Sequence, residues 1–509
     1  MKHFHVKNCS RALMLCLALP LTLLLTSCAT VTGRDYAMTF DCPHLSEAME
    51  SYDEQLPQHS AIQAAAIDAE TLGSGGGRAL SSSMILKALV PHSGAVVEGG
   101  PQPRAIPIDL PHRSRILLLS GGGQWGAFGA GFLDELRREN KLGQVDIVTG
   151  ISTGALQAIV LAGSVAPHAG ERGAIERAYD IVREDELVRD GGLWSALNKG
   201  SLATQEPLRS RIESALCPDQ PEHGCPMLYK IAGYCPDGLR INCPGRPDMS
   251  QLAPTPYVFI GAVNARTGQF VIVDIVALLR KIMRPDEKNG AVLATQRAQA
   301  QQCLTGLMLS SSSMPLFLQR VKIHYVEQAA SADAIAPAAT VERNDIFYDG
   351  GVRHSVFESA IVATARQADD EITTMQKDAH DTQDRSPRVD VVRNGPTTVT
   401  VDDNINNQGD AYHAAMRGYK LIVNETEVTS IRALRLTHPT GCIRYVTADS
   451  FELASSEPKC AGRPDSGEIF NPQKMCQLEI YGAAKASTGR WTELPPLNQT
   501  IDHKCAAAF

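Results

Sequence analysis

Two glycine-rich turns and one aspartate carry the residue types that nucleophilic catalysis needs. The first turn, Gly121-Gly122-Gly123-Gln124-Trp125-Gly126, follows the apolar run Ile116–Leu119. At the start of a helix the backbone N–H groups lack intrahelical acceptors, and glycines let an anion come close to them. The second turn, Gly150-Ile151-Ser152-Thr153-Gly154, follows Val145-Asp146-Ile147-Val148-Thr149. Between a strand and a helix this GxSxG spacing is a nucleophile elbow. Gly150 and Gly154 permit a turn tight enough to lift the Ser152 side chain above the sheet. Ile346-Phe347-Tyr348 reads as a strand leading into Asp349-Gly350-Gly351. The plainer reading of Asp349-Gly350-Gly351 is a simple turn.

These residues need rigid elements to hold them. Ile116–Leu119 is short and wholly apolar, as a buried parallel strand is, and Phe128, Phe132, Leu133 and Leu136 recur at helical spacing. Val145–Val148 reads as the next strand and Ala155–Leu161 as the next helix. Tyr257–Val263 and Phe270–Val273 read as strands turned at Arg266-Thr267-Gly268, and Val389–Val392 as one more. Alternating strands and helices predict an α/β domain with a mainly parallel central sheet. His413–Val423 has a helical pattern, and the last sixty residues read as short strands among cysteines.

In order, GGGQWGAFGAGFL, GISTGAL, the Ser310–Phe317 block and Asp349-Gly350-Gly351 resemble the signature of the patatin-like phospholipase family, over roughly Arg115 to Ser359. The resemblance implies a three-layer fold and a Ser152–Asp349 dyad without histidine. It also implies an oxyanion hole from Gly121, Gly122 and Gly123, with Gly126, Gly150, Gly154, Gly350 and Gly351 shaping the turns. The expected activity is lipid acyl ester hydrolysis at a membrane surface, with lipid or phospholipid as substrate. Trp125 stands where the family usually has Arg or Lys, and Thr153 where it has alanine. His354 and Val356 replace the usual Asn and Pro. Trp125 leaves the backbone donors in place, so the departure bears on headgroup preference.

Rival readings are weaker. Gly121-x-Gly123-x-x-Gly126 also fits a dinucleotide fingerprint, but the second strand ends in the serine turn instead of a ribose-binding acid. A Ser–His–Asp hydrolase needs a late histidine, and His413, His438 and His503 have no motif around them. A non-catalytic lipid-binding lipoprotein has no need of Ser152, Asp349 and all three glycines. A net charge of -8 with no basic stripe excludes nucleic acid as an expected partner.

The N-terminal end suggests export. Lys2, Lys7 and Arg11 precede the apolar run Ala12–Leu25, and Leu25-Thr26-Ser27-Cys28 resembles a bacterial lipobox with Cys28 as the lipidated residue. Ala29 at the next position implies sorting to the outer membrane. Cys9 and Cys16 leave with the signal. The remaining Cys42, Cys217, Cys225, Cys235, Cys243, Cys303, Cys442, Cys460, Cys476 and Cys505 are even in number and read as disulfides. Their spacing does not suit zinc, and no cofactor or metal is expected. The chain thus divides into a signal peptide (1–27), a lipidated tether and arm (28–111), a catalytic domain (112–395) and a C-terminal extension packed on it (396–509). Disulfide-containing insertions, Cys217–Cys243 foremost, are expected near the site entrance.

Overall fold

The computed structural model describes residues 36–52, 115–191, 201–218, 221, 224–234, 256–284, 292–328, 340–354, 356, 388–399, 411–437, 441–454, 457–466, 469–489 and 491–495. The leader, Cys28, Cys235, Cys243 and Cys505 lie outside them, as do the side chains of His413, His438 and His503.

Parallel strands at the centre of one sheet set the architecture. In chain order the strands are β1 (Met38–Asp41), β2 (Met49–Tyr52), β3 (Arg115–Leu119), β4 (Ile147–Ile151), β5 (Arg189–Asp190), β6 (Ser201–Thr204), β7 (Tyr257–Asn264) and β8 (Phe270–Asp274). They continue with β9 (Leu316–Leu318), β10 (Val321–Gln328), β11 (Thr340–Asp349), β12 (Arg388–Val392), β13 (Ile443–Val446) and β14 (Thr492–Glu493). The main sheet runs β1-β10-β11-β7-β4-β3-β12-β13-β14, with β8 and β2 branching from β7. From β7 through β13 every pairing is parallel, and antiparallel strands flank that run. A small second sheet joins β5, β6 and β9.

Successive side chains of these strands feed two cores. Leu117 and Leu119 of β3 pack on one face with Phe128 and Phe132 of helix α1 (Gly126–Arg138) and Ile159 of α2 (Thr153–Gly163). Leu304 of α3 (Ala294–Ser311) joins them. Ile116 and Leu118 pack on the other face with Ile431 and Leu434 of α4 (Ala411–Thr437). Period-two alternation thus makes a three-layer α/β structure, as expected for a sheet covered on both sides.

Two segments differ from the sequence reading. Residues 38–52 are not a tether: β1 pairs in parallel with β10, and β2 pairs with β8. Buried Met38, Phe40 and Leu45, together with a Cys42–Cys303 disulfide, tie this stretch to the core. The division at residue 395 is not a structural break either. β13 extends the sheet beyond β12, and α5 (Pro472–Ser487) lies backbone to backbone against α1. A Cβ on Gly131 would come within 2.0 Å of the Glu479 carbonyl oxygen, and one on Gly482 within 2.0 Å of the Phe128 carbonyl oxygen. Only glycine at both positions allows this approach. Asp390 of β12 also binds Arg444 of β13 at 2.7 Å and Arg115 of β3 at 2.9 Å, all within the sheet.

Disulfides also join Cys217 to Cys225 and Cys460 to Cys476, and Cys442 is disulfide-bonded as well. Among the described residues no helix is long and apolar enough to cross a membrane, and no His/Cys/Asp/Glu cluster could hold a metal.

Candidate active site

Three loops leave the same edge of the sheet, where β3, β4 and β12 end side by side. That carboxyl edge is where parallel sheets gather their ligands. β4 delivers Ser152 in a conformation (φ 54°, ψ −125°) that non-glycine residues rarely occupy. The strain is held from several sides. The Ser152 N–H donates to Ser311 Oγ at 2.9 Å, and Ser311 Oγ donates to the Gly261 carbonyl at 2.7 Å. Gly154 lies so close to β3 that a Cβ there would sit 2.2 Å from the Leu119 carbonyl oxygen.

Asp349 reaches the same point from the opposite direction. β11 runs antiparallel to β7 and ends with Asp349 beside Ala262, one residue past the level at which β4 ends. The Asp349 N–H donates to the Ser313 carbonyl at 2.9 Å, so the Ser310–Ser313 block supports both residues. The Asp349 carboxylate accepts the Gly351 N–H at 2.7 Å. Burial pushes its pKa up from 3.8 to about 6, against the opposing pull of the Ser152 side chain and the Gly351 N–H.

The turn after β3 faces this pair. A Cβ on Gly121 would lie 3.5 Å from Ser152 Cβ. The N–H groups of Gly122 and Gly123 have no acceptor among the described residues. Gly122 has φ 146°, and a Cβ there would meet the Asn394 carbonyl oxygen at 1.9 Å. Asn394 follows β12 and binds Ser120 through its N–H and its side chain, at 2.9 and 2.7 Å. It also forms a reciprocal amide pair with Gln157. Gln157 in turn donates to the Gly126 carbonyl at 2.8 Å.

The sequence departures acquire partners. Thr153 Oγ1 shares a hydrogen bond with buried Tyr179, whose hydroxyl also reaches the Thr153 carbonyl at 2.8 Å. Trp125 packs edge-on against Phe451 and lies beneath the ammonium of Lys474. His354 packs its ring against Phe270, and burial lowers its pKa to about 4.

A cavity of about 960 Å³ opens over Ser152 and Asp349. Leu156, Ile159, Val160, Leu208, Ile212 and Met227 make much of its wall apolar, and Leu216 and Pro218 bring the Cys217–Cys225 loop to its rim. No histidine is among the described residues that line it. Helix α4 adds Arg417, Tyr419, Lys420, Val423, Asn424 and Glu427. Burial, and then the charges of Asp349 and Glu427, raise the pKa of Tyr419. Glu427 is buried with Arg393, 3.0 Å away, and its Oε1 would lie 3.8 Å from a Cβ on Gly121. Sequence reasoning misses Arg393, Asn394, Tyr419, Glu427 and Lys474. The one available signal is the strand Val389–Val392 ending in Arg393-Asn394-Gly395-Pro396, a turn at the carboxyl edge of a parallel strand.

Residues 117–361 match the family described as patatin-like phospholipase. Among solved structures, VipD from Legionella pneumophila is 12% identical, with 75% of this chain and 68% of that chain covered and a TM-score of 0.31. The type III effector ExoU is 16% identical over 53% of this chain and 63% of its own, with a TM-score of 0.21. Human GIVD cytosolic phospholipase A2 is 10% identical over 87% of this chain and 64% of its own, with a TM-score of 0.27. The chain therefore spans less than two thirds of the latter two. A comparison with curated protein sequences gives no match.

Proposed function

Since the chain belongs, through residues 117–361, to the patatin-like phospholipase family, we propose that it hydrolyses lipid acyl esters with Ser152 as nucleophile and Asp349 as general base. The observation that carries this reading is the strained Ser152, which shares the wall of one largely apolar cavity with the buried Asp349 carboxylate. Ser152 Oγ attacks the ester carbonyl while its proton passes to Asp349. The oxyanion formed is stabilised by N–H groups of Gly121, Gly122 and Gly123, which need no reorganisation to receive it. Collapse expels the alcohol, which takes the proton back from Asp349, and water then releases the fatty acid by the same steps in reverse. An aspartate with a pKa of about 6 is a better base than an ordinary one and is still ionised at neutral pH.

The experiment is labelling with a fluorophosphonate and mapping of the modified residue. Label on Ser152, and loss of both label and ester turnover in a folded Ser152→Ala variant, is the expected result. Label elsewhere, or turnover by Ser152→Ala, refutes the assignment.

Anchoring belongs to the same proposal. Lipidation of Cys28 would hold the enzyme on the outer membrane, and the disulfides of the described core suit an oxidising compartment. Cys28→Ser should leave the protein unprocessed or soluble. Retention on membranes after a high-salt wash would contradict this.

A further inference from the structure

Three of the six cations on the cavity wall, among the described residues, are already engaged. Arg211 pairs with Glu186 at 3.2 Å, Arg393 with Glu427 at 3.0 Å, and Arg177 donates to the Arg172 carbonyl. Arg417, Lys420 and Lys474 have no such bond among the described residues, and the charges of Lys474 and Lys420 act on each other. These two lysines come from different helices, α5 and α4, and both line the cavity that holds Ser152. Among the described residues neither ammonium forms a salt bridge, and the Lys474 Nζ lies 4.2 Å from the centre of the Trp125 ring. Burial, followed by the like charge of Lys420, lowers the Lys474 pKa to about 8. Asp465 opposes that shift, but its carboxylate accepts from Asn471 Nδ2 at 2.8 Å. A like charge beside the half-buried Lys474 ammonium raises its energy, and an anion held there removes that cost. The aromatic ring fixes one ammonium in direction without neutralising it.

Trp125 belongs to the Gly121–Gly126 turn, whose Gly121 faces Ser152. An anion held over its ring therefore lies a short way along the wall from the groups that receive the ester carbonyl. We propose that Lys474 and Lys420, with Lys474 seated on Trp125, form an anion subsite for the phosphate of a glycerophospholipid whose acyl ester lies at Ser152. The phosphate and that ester are separated by only a few bonds of the glycerol backbone. The proposal rests on the hydrolase reading above and sharpens it. The preferred substrates are phosphodiester lipids, and neutral acylglycerols with the same chains are turned over less well.

The test compares phosphatidylglycerol with diacylglycerol of identical chains in the same neutral detergent micelles. In Lys474→Gln the ratio of the two kcat/KM values should fall at least tenfold, and further when Lys420→Gln is added. Lys474→Arg should keep most of the ratio. An unchanged ratio in the double variant overturns the proposal. Competition on the wild-type protein is independent of how the variants fold. Glycerol 3-phosphate should inhibit diacylglycerol hydrolysis, and glycerol should not. Equal effects of the two would overturn the subsite. Inhibition by inorganic phosphate as strong as by glycerol 3-phosphate, with an unchanged ratio, would mean a free-anion site and would also overturn it. If neither lipid is cleaved, the hydrolase reading fails. Equilibrium binding of glycerol 3-phosphate to Ser152→Ala, and its loss with Lys474→Gln, would still decide the subsite.

Discussion

The two glycine turns look alike in sequence and are built differently. The Ser152 turn is closed by its immediate neighbours: β3 beneath Gly154, β7 and Ser311 beneath Ser152, and β11 bringing Asp349. All of these lie within the stretch that carries the family signature. The Gly121–Gly126 turn is held by residues far down the chain. Asn394 blocks one side of Gly122, the Arg393–Glu427 pair lies beyond Gly121, and Gln124 Oε1 accepts the Asn471 N–H at 3.1 Å. The proposed nucleophile is thus supported from within the signature stretch, and the proposed oxyanion donors by residues C-terminal to it. The lesson is that an intact signature does not by itself make an intact site.

Substitutions can break or sharpen that contrast. The largest effect is expected at Asp349. Asp349→Asn should lower kcat by roughly 10²–10⁴-fold, the range for loss of a general base. Single replacements of His354, His413, His438 and His503 should cost far less. In the wild type the aspartate accepts a proton only when ionised, so activity should be half-maximal near pH 6 and fall below it. Stability has the opposite sign. A carboxyl raised from 3.8 to about 6 stabilises the folded state fully below the lower value and loses that contribution as pH rises through the upper one. Asp349→Asn should therefore be more stable than wild type at pH 8, by as much as roughly 3 kcal/mol, with no gain near pH 3. Urea unfolding at the two pH values measures it.

Next comes Gly122→Ala, which tests the dependent turn. Its Cβ would collide with the Asn394 carbonyl, so kcat should fall by about 10²–10³-fold, as when an oxyanion donor is lost. Fluorophosphonate labelling should slow in parallel. Little change would mean that the turn is not held as described.

Arg393→Gln should act less on rate and more on stability. It removes the guanidinium that faces the buried Glu427 carboxylate at 3.0 Å, at a cost of about 3–5 kcal/mol by denaturant unfolding. Adding Glu427→Gln should recover much of that loss. Absence of recovery would argue against the pairing as the cause.

The smallest effect is expected from Thr153→Ala, on the self-supported turn. It removes one bond to Tyr179 and should cost about 1 kcal/mol, with kcat nearly unchanged.

Legibility in the sequence divides along the same line. Both turns, Asp349 and the parallel core are local patterns: an apolar run, glycines at fixed offsets, then helical spacing. Asn394 and Glu427 matter only because distant strands and helices bring them to Gly121, and no local spacing records that. Helix α5 lies where the sequence suggests short strands, although Asn471 before Pro472 is a helix start, with the Asn471 side chain accepting the Lys474 N–H at 2.8 Å. Its half-polar, glycine-interrupted face exists to fit α1. β1 and β2 are four-residue runs whose partners lie more than 200 positions away, so only the assembled sheet identifies them.

The late origin of the Asn394 contact also sets a schedule. A ribosome makes β1 and β2 first, and these must wait for β10 and β8. It makes Ser152 and Asp349 well before Asn394, Glu427 and Lys474. A nascent chain can therefore hold Ser152 and Asp349 while Gly122 still has no carbonyl to rest against. On the proposed mechanism, hydrolysis becomes possible only once the segment that carries Asn394 and Glu427 has been made and has folded against Gly121 and Gly122.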